Sequence, residues 1–277
     1  MRTLPLHAGA RGLGDDAAVI EFGSETLVIT HDAMAEGTHW RPGTDPYDIA
    51  WKLVATNLSD LAAKGAEPVG VLLSHVLGDG DDRFLEGLCT VLARHDTPIL
   101  GGDTIAAAPG ARTLGLTAIG RATCAKVPSR AGARAGDRVL VTGTLGRAML
   151  GFDGDEGHRE AFLRPAPRLA EGRALAPVVS AMMDISDGLL LDAFRLAQAS
   201  EATIAIESDA VPVADPDRRE DSLRWGDDYE LLFTLPEDAA CPVEASAIGR
   251  VEPAGFAPLM LDGHPLLNAA GLGFAHG

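Results

Sequence analysis

The sequence lacks any long apolar run, which bears on where the protein is found. No stretch of about 18 apolar residues occurs, so the chain offers no candidate transmembrane helix. The N-terminal residues Met1–Gly14 also lack the apolar core of a secretory signal. We therefore expect a cytoplasmic protein that does not bind a membrane.

Cysteine is scarce. The three cysteines, Cys89, Cys124 and Cys241, are far apart and odd in number, and no CxxC spacing occurs. Neither a disulfide framework nor a zinc site is supported by this pattern, so we interpret the cysteines as packing residues.

Acidic residues outnumber basic residues in this chain. The chain has 23 Lys and Arg against 40 Asp and Glu, which gives a formal charge of −17. Such a negative chain is a poor match for nucleic acid or an anionic membrane, and we expect neither as a partner. A small phosphorylated substrate is compatible with this charge only if divalent cations bridge its oxygens and the protein's carboxylates.

Familiar nucleotide-binding motifs are missing too. The chain has no GxxxxGK[ST] loop and no kinase-like His-Arg-Asp or Asp-Phe-Gly signature. The segment Gly12–Val19 matches the GxGxxA form of a dinucleotide loop, but it lies at the extreme N-terminus and places Asp15 and Asp16 where a phosphate would approach. If the protein binds ATP, it must use a less familiar fold.

What the chain does contain is a regular alternation of strand-like and helix-like segments. A polar, glycine-bearing stretch, Pro128–Asp137, separates two such halves, so we predict a mixed α/β (α+β) fold with domains at residues 1–126 and 127–277. The predicted strands are Leu27–Ile29, Val69–Leu73, Ile99–Leu100, Thr113–Ile119, Arg138–Thr142, Thr203–Ile206, Tyr229–Thr234, Ala247–Val251 and Pro258–Leu261, and the predicted helices are Pro46–Gly65, Arg83–Ala93, Pro167–Val178 and Leu189–Ala199.

Aspartates recur at the ends of these segments. They lie in Gly14-Asp-Asp-Ala-Ala18, Thr30-His-Asp32, Asn57-Leu-Ser-Asp60, Gly101-Gly-Asp-Thr104 and Asp184-Ile-Ser-Asp-Gly188. An Asx turn or a helix N-cap would explain most of them singly. On the Pro46–Gly65 helix, however, Asn57 and Asp60 share a largely apolar face, where an uncompensated carboxylate is costly. Clusters of oxygen ligands without paired His or Cys favour Mg²⁺ or Mn²⁺ over zinc.

Taken in order, these motifs resemble those of the thiamine-monophosphate kinases, in the superfamily that includes aminoimidazole ribonucleotide synthetase. Two further segments belong to the same set, Glu36-Gly-Thr-His39 and Gly226-Asp-Asp-Tyr-Glu-Leu231. The resemblance covers nearly the whole chain. It implies two α/β domains, the N-terminal one pairing through its sheet in a homodimer.

The resemblance also implies the chemistry. ATP would phosphorylate thiamine monophosphate to thiamine diphosphate, with several Mg²⁺ ions, and the substrate phosphate would attack the γ-phosphoryl group directly, so no protein nucleophile is expected. The implied metal ligands are Asp16, Thr30, His31, Asp32, Asp60, Asp103, Asp184 and Asp187; the implied ATP contacts are Gly102, Asp103, Arg130 and Ser186; the implied substrate contacts are His39, Asp227 and Phe274.

Two alternatives stay open. The chain could be another ATP-using member of the superfamily, such as a ribonucleotide cyclo-ligase or a selenophosphate synthase-like enzyme, or a catalytically silent protein that binds metal and nucleotide. The chain departs from the family pattern at Asp227, where the family has Glu, so the substrate side of the site is where the resemblance is weakest.

Overall fold

The computed structural model describes residues 5–108 and 110–274. These residues form two mixed β-sheets with helices packed against them. The outer ends of the two predicted domains, residues 1–4 and 275–277, lie outside the described part. Within it, no helix is both long enough and apolar enough to span a membrane.

The first sheet has the strand order β1-β2-β5-β3-β4, and all its neighbours are antiparallel except the parallel pair β3 and β4. Its strands are β1 (Ala18–Phe22), β2 (Glu25–Ala35), β3 (Ala66–Val76), β4 (Ile99–Ile105) and β5 (Thr113–Ala122). The helices α1 (Pro46–Ala63) and α2 (Asp81–Arg94) belong to the same part of the chain.

The second sheet has the order β12-β11-β8-β10-β6-β9-β7. Its strands are β6 (Arg138–Val141), β7 (Ala181–Asp184), β8 (Thr203–Ile206), β9 (Leu231–Leu235), β10 (Ser246–Glu252), β11 (Leu259–Leu261) and β12 (His264–Leu266). The accompanying helices are α3 (Arg147–Asp153), α4 (Arg159–Leu163), α5 (Leu169–Leu175), α6 (Leu189–Ala199) and α7 (Arg219–Arg224). The mixed α/β prediction is therefore confirmed.

Helix α1 is the central element, and its limits follow from local chemistry. Asp45 caps its first turn by accepting a hydrogen bond from the Tyr47 N–H at 3.0 Å, and Pro46 fits the first helical position. Gly65 ends it with φ of +59°, a conformation that favours glycine. Nearly every residue from Asp48 to Ala63 is buried, because the helix packs against both sheets.

Two predictions about local structure are wrong. The predicted strand Ile99–Leu100 is too short, since Gly101 and Gly102 also lie inside β4, which continues in register with β3 as far as Ile105. Thr30 and Asp32 do not end their strand either, because antiparallel pairing with β5 continues to Ala35. In both cases hydrogen bonds to a neighbouring strand extend the strand, and the local sequence does not predict that pairing.

A run of charge is typical of a solvated loop, but the charged segment Asp215–Asp221 contains a 3₁₀ turn over Pro216–Arg218 and the start of α7. The other such segment, Asp153–Glu160, includes the end of α3 and the start of α4. Both charged segments are thus partly helical.

Candidate functional site

Three aspartates from distant parts of the chain meet where α1 passes between the two sheets. Asp16 follows the turn before β1, Asp60 lies on α1 and Asp184 ends β7. One carboxylate oxygen of each lies within 4.8 Å of the others. All three were predicted metal ligands, and the structure brings them together; we call this group the aspartate cluster.

Hydroxyl groups complete the polar lining of the aspartate cluster. Thr30, on the α1-facing side of β2, donates a hydrogen bond to Asp60, and the Ser59 hydroxyl donates to Asp184 at 2.6 Å. Asn57 accepts the backbone N–H of Asp32 at 3.0 Å, which fixes β2 against the helix. The shared face of Asn57 and Asp60 on α1 thus faces the site.

The electrostatics of the aspartate cluster suit a cation. Burial, followed by the charges of Asp32, Asp184 and Asp16, raises the pKa of Asp60 well above its usual value. Burial, followed by the charge of Asp16, raises the pKa of Asp184 to about 8. Adjacent buried carboxylates resist ionisation together unless a positive charge joins them. Since their donors are hard oxygens, the residues present fit Mg²⁺.

Two basic side chains already contact Asp16. Arg130, a predicted ATP contact, lies with Nε 2.8 Å and Nη2 2.5 Å from Asp16 Oδ1. Lys64 Nζ lies 2.6 Å from Asp16 Oδ2 and 2.5 Å from Asp15 Oδ1. Burial acts to raise the pKa of Asp15, but the Lys64 ammonium and the hydrogen bonds to Asp15 outweigh it and hold that pKa at about 2.

A cavity of about 500 Å³ opens beside the aspartate cluster. Its lining includes six residues predicted from the sequence, five of them polar and the sixth aromatic: Asp32, His39, Ser186, Asp187, Asp227 and Phe274. Four aromatic side chains complete much of the wall, namely Phe152, Phe162, Trp225 and Tyr229. The predicted substrate contacts therefore share one cavity with part of the predicted metal and nucleotide set.

Asp227 is held from both halves of the chain. Lys52 of α1 donates to its Oδ2 at 2.7 Å, and the Tyr229 hydroxyl donates to its Oδ1 at 2.9 Å. Asp227 and Tyr229 have φ of +63° and +51°, which is uncommon for residues other than glycine and is often tolerated at functional sites. The carboxylate thus has a fixed position at the cavity wall.

His39 presents one ring nitrogen to its own backbone. Its Nδ1 accepts the Ala35 N–H at 3.0 Å. A neutral imidazole that accepts at Nδ1 carries its proton at Nε2, so this ring can act as a donor at Nε2.

The loop containing Ser186 and Asp187 is positioned by Asp192, in the first turn of α6. Asp192 Oδ2 accepts both backbone N–H groups, at 3.1 and 3.0 Å. Arg195 then ties Asp187 to Asp192 with contacts of 2.5 and 2.9 Å. Burial, with a further contribution from the Asp187 charge, raises the pKa of Asp192 to about 7.

His31, Gly102 and Asp103 do not join the aspartate cluster within this chain. Successive side chains of a strand point to opposite faces, so His31 lies on the face away from Thr30 and Asp32, where its Nδ1 is 2.9 Å from the Thr117 hydroxyl. Asp103 is on the same outer face of edge strand β4, and Gly102 is on that strand too. Three strand spacings, roughly 14 Å, separate β4 from β2.

Several features of the site were not identified from the sequence. They are the two buried lysines Lys52 and Lys64, the pairing of Asp15 with Lys64, the role of Asp192 and the aromatic lining of the cavity. The helix offered a signal for the two lysines, because Lys52 and Lys64 interrupt the same apolar pattern that marked Asn57 and Asp60. A buried cation, like a buried carboxylate, requires a partner of opposite charge.

Comparison with known proteins agrees with this architecture. Residues 14–122 match the family model described as AIR synthase related protein, N-terminal domain, and residues 134–256 match the corresponding C-terminal domain. The two sheets and the site between them are thus those of an AIR synthase related protein.

Similarity to individual proteins is more specific. Thiamine-monophosphate kinase of Salmonella typhimurium is 37% identical over 251 residues, covering 82% of this chain and 76% of that protein. The enzyme of Halobacterium salinarum is 36% identical over 275 residues, covering 92% of each. A structure described as AaThiL complexed with AMPPCP and TMP superposes with a TM-score of 0.83 at 28% identity, covering 97% of this chain and 98% of that one. The chain belongs to the thiamine-monophosphate kinase family, which confirms the resemblance.

Proposed function

We propose that this protein transfers the γ-phosphoryl group of ATP to thiamine monophosphate, giving thiamine diphosphate and ADP. The observation that carries the proposal is the close structural match, over nearly the whole chain, to a relative complexed with an ATP analogue and TMP. Family membership supports the same reaction and does not favour the cyclo-ligase, selenophosphate synthase-like or silent alternatives.

Magnesium is the metal we propose for the aspartate cluster. Asp16, Asp60 and Asp184 would hold it. Thr30, which is hydrogen-bonded to Asp60, and the cavity-lining residues Asp32 and Asp187 would be the further ligands. When bound, Mg²⁺ neutralises phosphate oxygens and so reduces the repulsion between two anionic reactants. The fit rests on three mutually close, buried carboxylates that have oxygen donors only.

The protein's own groups would bind and orient the reactants. We propose that Arg130 and Ser186 contact ATP, and that His39 donates from Nε2 to the substrate phosphate. No protein nucleophile is needed, because a phosphate oxygen is already ionised near neutral pH.

The aromatic cavity is our proposed site for the thiamine moiety. Thiamine carries a positively charged thiazolium ring, and aromatic faces attract such cations. Phe152, Phe162, Trp225 and Phe274 line the cavity, and the Asp227 carboxylate supplies a negative charge on its wall. The shorter side chain at Asp227, compared with the Glu typical of the family, is already placed by Lys52 and Tyr229.

We also propose the homodimer that the resemblance implies, formed through the outer face of the first sheet. This face and edge strand β4 expose five large apolar side chains, each 38–52% accessible: Val69, Leu72, Ile99, Leu100 and Ile105. Several large apolar side chains exposed on neighbouring strands are typical of an interaction site. A second copy on this face would lie against edge strand β4, so we propose that Gly102 and Asp103 make their nucleotide contacts at this interface. The cytoplasmic location stays a prediction from the sequence.

The proposed reaction is tested by incubating the protein with ATP, Mg²⁺ and thiamine monophosphate, and measuring thiamine diphosphate by chromatography. Unphosphorylated thiamine in place of the monophosphate is the control, and it should give no product. Absence of thiamine diphosphate in the first incubation would refute the proposed substrate.

A further inference from the structure

Lys64 is an unusual neighbour for a metal site, because it is a cation that is itself completely buried. Its side chain is 0% exposed, and its Nζ lies near three oxygens: Asp15 Oδ1 at 2.5 Å, Asp16 Oδ2 at 2.6 Å and the Met182 carbonyl at 3.4 Å. Burying an ammonium group is costly unless its partners are close and well arranged. Lys64 is therefore fixed in place beside the aspartate cluster.

The two oxygens of Asp16 face different cations. Oδ2 contacts Lys64, whereas Oδ1 contacts Arg130. Because Asp16 also lies close to Asp60 and Asp184, these two cations offset part of the charge that the three carboxylates would otherwise concentrate.

The two cations differ in their freedom to move. The Arg130 side chain is 17% exposed, and its guanidinium matches the geometry of phosphate oxygens, so an arriving polyphosphate can attract it away from Asp16. Lys64 has no exposed surface, and its contacts with Asp15 and the Met182 carbonyl do not involve the cavity. A polyphosphate that binds here would therefore compete with Asp16 for Arg130 but not for Lys64.

We propose that Lys64 is a positioning residue that acts as a resident cation: it holds Asp16 and weakens the binding of a free divalent ion, so that metal enters together with nucleotide phosphates. A fixed positive charge a few ångströms away opposes a bare divalent cation, whereas the oxygens of a polyphosphate offset that opposition. The inference rests on the proposed function in taking the nucleotide as the phosphate source.

The test compares the Mn²⁺ affinity of the wild type with that of Lys64→Met. Mn²⁺ is titrated into each nucleotide-free protein, and the free Mn²⁺ is measured by electron paramagnetic resonance. We expect Lys64→Met to bind Mn²⁺ at least about tenfold more tightly, because a unit charge is removed from the surroundings of the ion. With AMPPCP present, the difference should shrink to below about threefold, since the phosphates offset the lysine charge. Equal or weaker Mn²⁺ binding by nucleotide-free Lys64→Met would overturn the proposal.

Two further variants make the result unambiguous. Lys126→Met removes an exposed lysine and should bind Mn²⁺ as the wild type does. If Lys64→Met does not fold, Lys64→Gln removes the same charge and keeps a group that can donate a hydrogen bond to Asp15 or Asp16, and it too should bind free Mn²⁺ more tightly than the wild type; failure to do so would overturn the proposal. Mn²⁺ binding without nucleotide requires no turnover, so it can fail while the kinase assay succeeds, or the reverse.

Discussion

At the scale of single residues, Asp60 is the most informative position in the aspartate cluster. Its carboxylate is buried, accepts a hydrogen bond from Thr30 and is raised in pKa by burial and by three neighbouring aspartates. Asp60→Asn keeps the shape of the side chain but removes its charge. We expect this variant to melt at the same temperature as the metal-free wild type or higher, because repulsion is relieved, while its Mn²⁺ affinity falls more than about tenfold.

Asp79→Asn is the matched control for Asp60→Asn, since Asp79 is exposed and lies away from the cavity. Differential scanning fluorimetry gives the melting temperature, and electron paramagnetic resonance gives the Mn²⁺ affinity. Unchanged Mn²⁺ binding in Asp60→Asn would remove Asp60 from the proposed ligand set.

Substitution of Asp227 tests the proposed binding of thiamine monophosphate in the cavity. Asp227→Asn would take a negative charge from the cavity and leave the buried Lys52 ammonium without its carboxylate partner. Both changes disfavour a cationic substrate, so we expect the KM for thiamine monophosphate to rise about tenfold or more, with the KM for ATP unchanged. Steady-state kinetics with each substrate varied in turn would check this; equal changes in the two KM values would contradict it.

The sequence identified the members of the aspartate cluster because each lies in a motif of its own, and it also contained a signal that separates His31 from them. His31 follows Thr30 directly, and simple strand alternation indicates that the two side chains point to opposite faces. Lys64 was missed because its partners Asp15 and Asp16 are distant along the chain. Such pairings depend on tertiary packing, which local pattern does not encode.

At the scale of elements, the main prediction concerns dimerisation through the outer face of the first sheet. The outer-face residue Leu72 is 38% exposed, so Leu72→Glu should leave the monomer folded while it opposes dimerisation. We expect the wild type to be a dimer and Leu72→Glu a monomer by size-exclusion chromatography with light scattering. Leu85→Glu, at a 51% exposed leucine of α2, is the control and should remain dimeric. A monomeric wild type, or a dimeric Leu72→Glu variant, would contradict the proposed interface.

The ends of helices and strands were predictable where capping or helix-stopping residues mark them. The predicted helix Pro46–Gly65 agrees with α1 within two residues, because Asp45, Pro46 and Gly65 are clear start and stop signals. The predicted strand Ile99–Leu100 is shorter than β4, because two consecutive glycines argue for the end of a strand when its partner strand is unknown. Gly102 is needed there for close approach, because a Cβ at this position would lie 2.0 Å from the Leu73 carbonyl oxygen.

At the scale of the whole molecule, the two halves share part of their interior. One apolar core joins Leu53 and Leu58 of α1 with Met182 and Phe233 of the second sheet. The sequence predicts a boundary near Lys126, and that boundary stays a prediction. The sequence does not predict that α1, from the first half, packs against the second sheet. This packing places Asp60 beside Asp184. The site exists because the halves are joined in this way.

The central claim is that this junction carries γ-phosphoryl transfer to thiamine monophosphate. The most direct measurement uses ATP labelled with ³²P at the γ position, one enzyme turnover and Mg²⁺, with separation of the thiamine phosphates. The account predicts that the label appears in thiamine diphosphate with the wild type and with Asp79→Asn, but not with Asp60→Asn or after chelation of the metal. Label appearing only as inorganic phosphate in the wild-type reaction, or transfer by Asp60→Asn at the wild-type rate, would contradict the account.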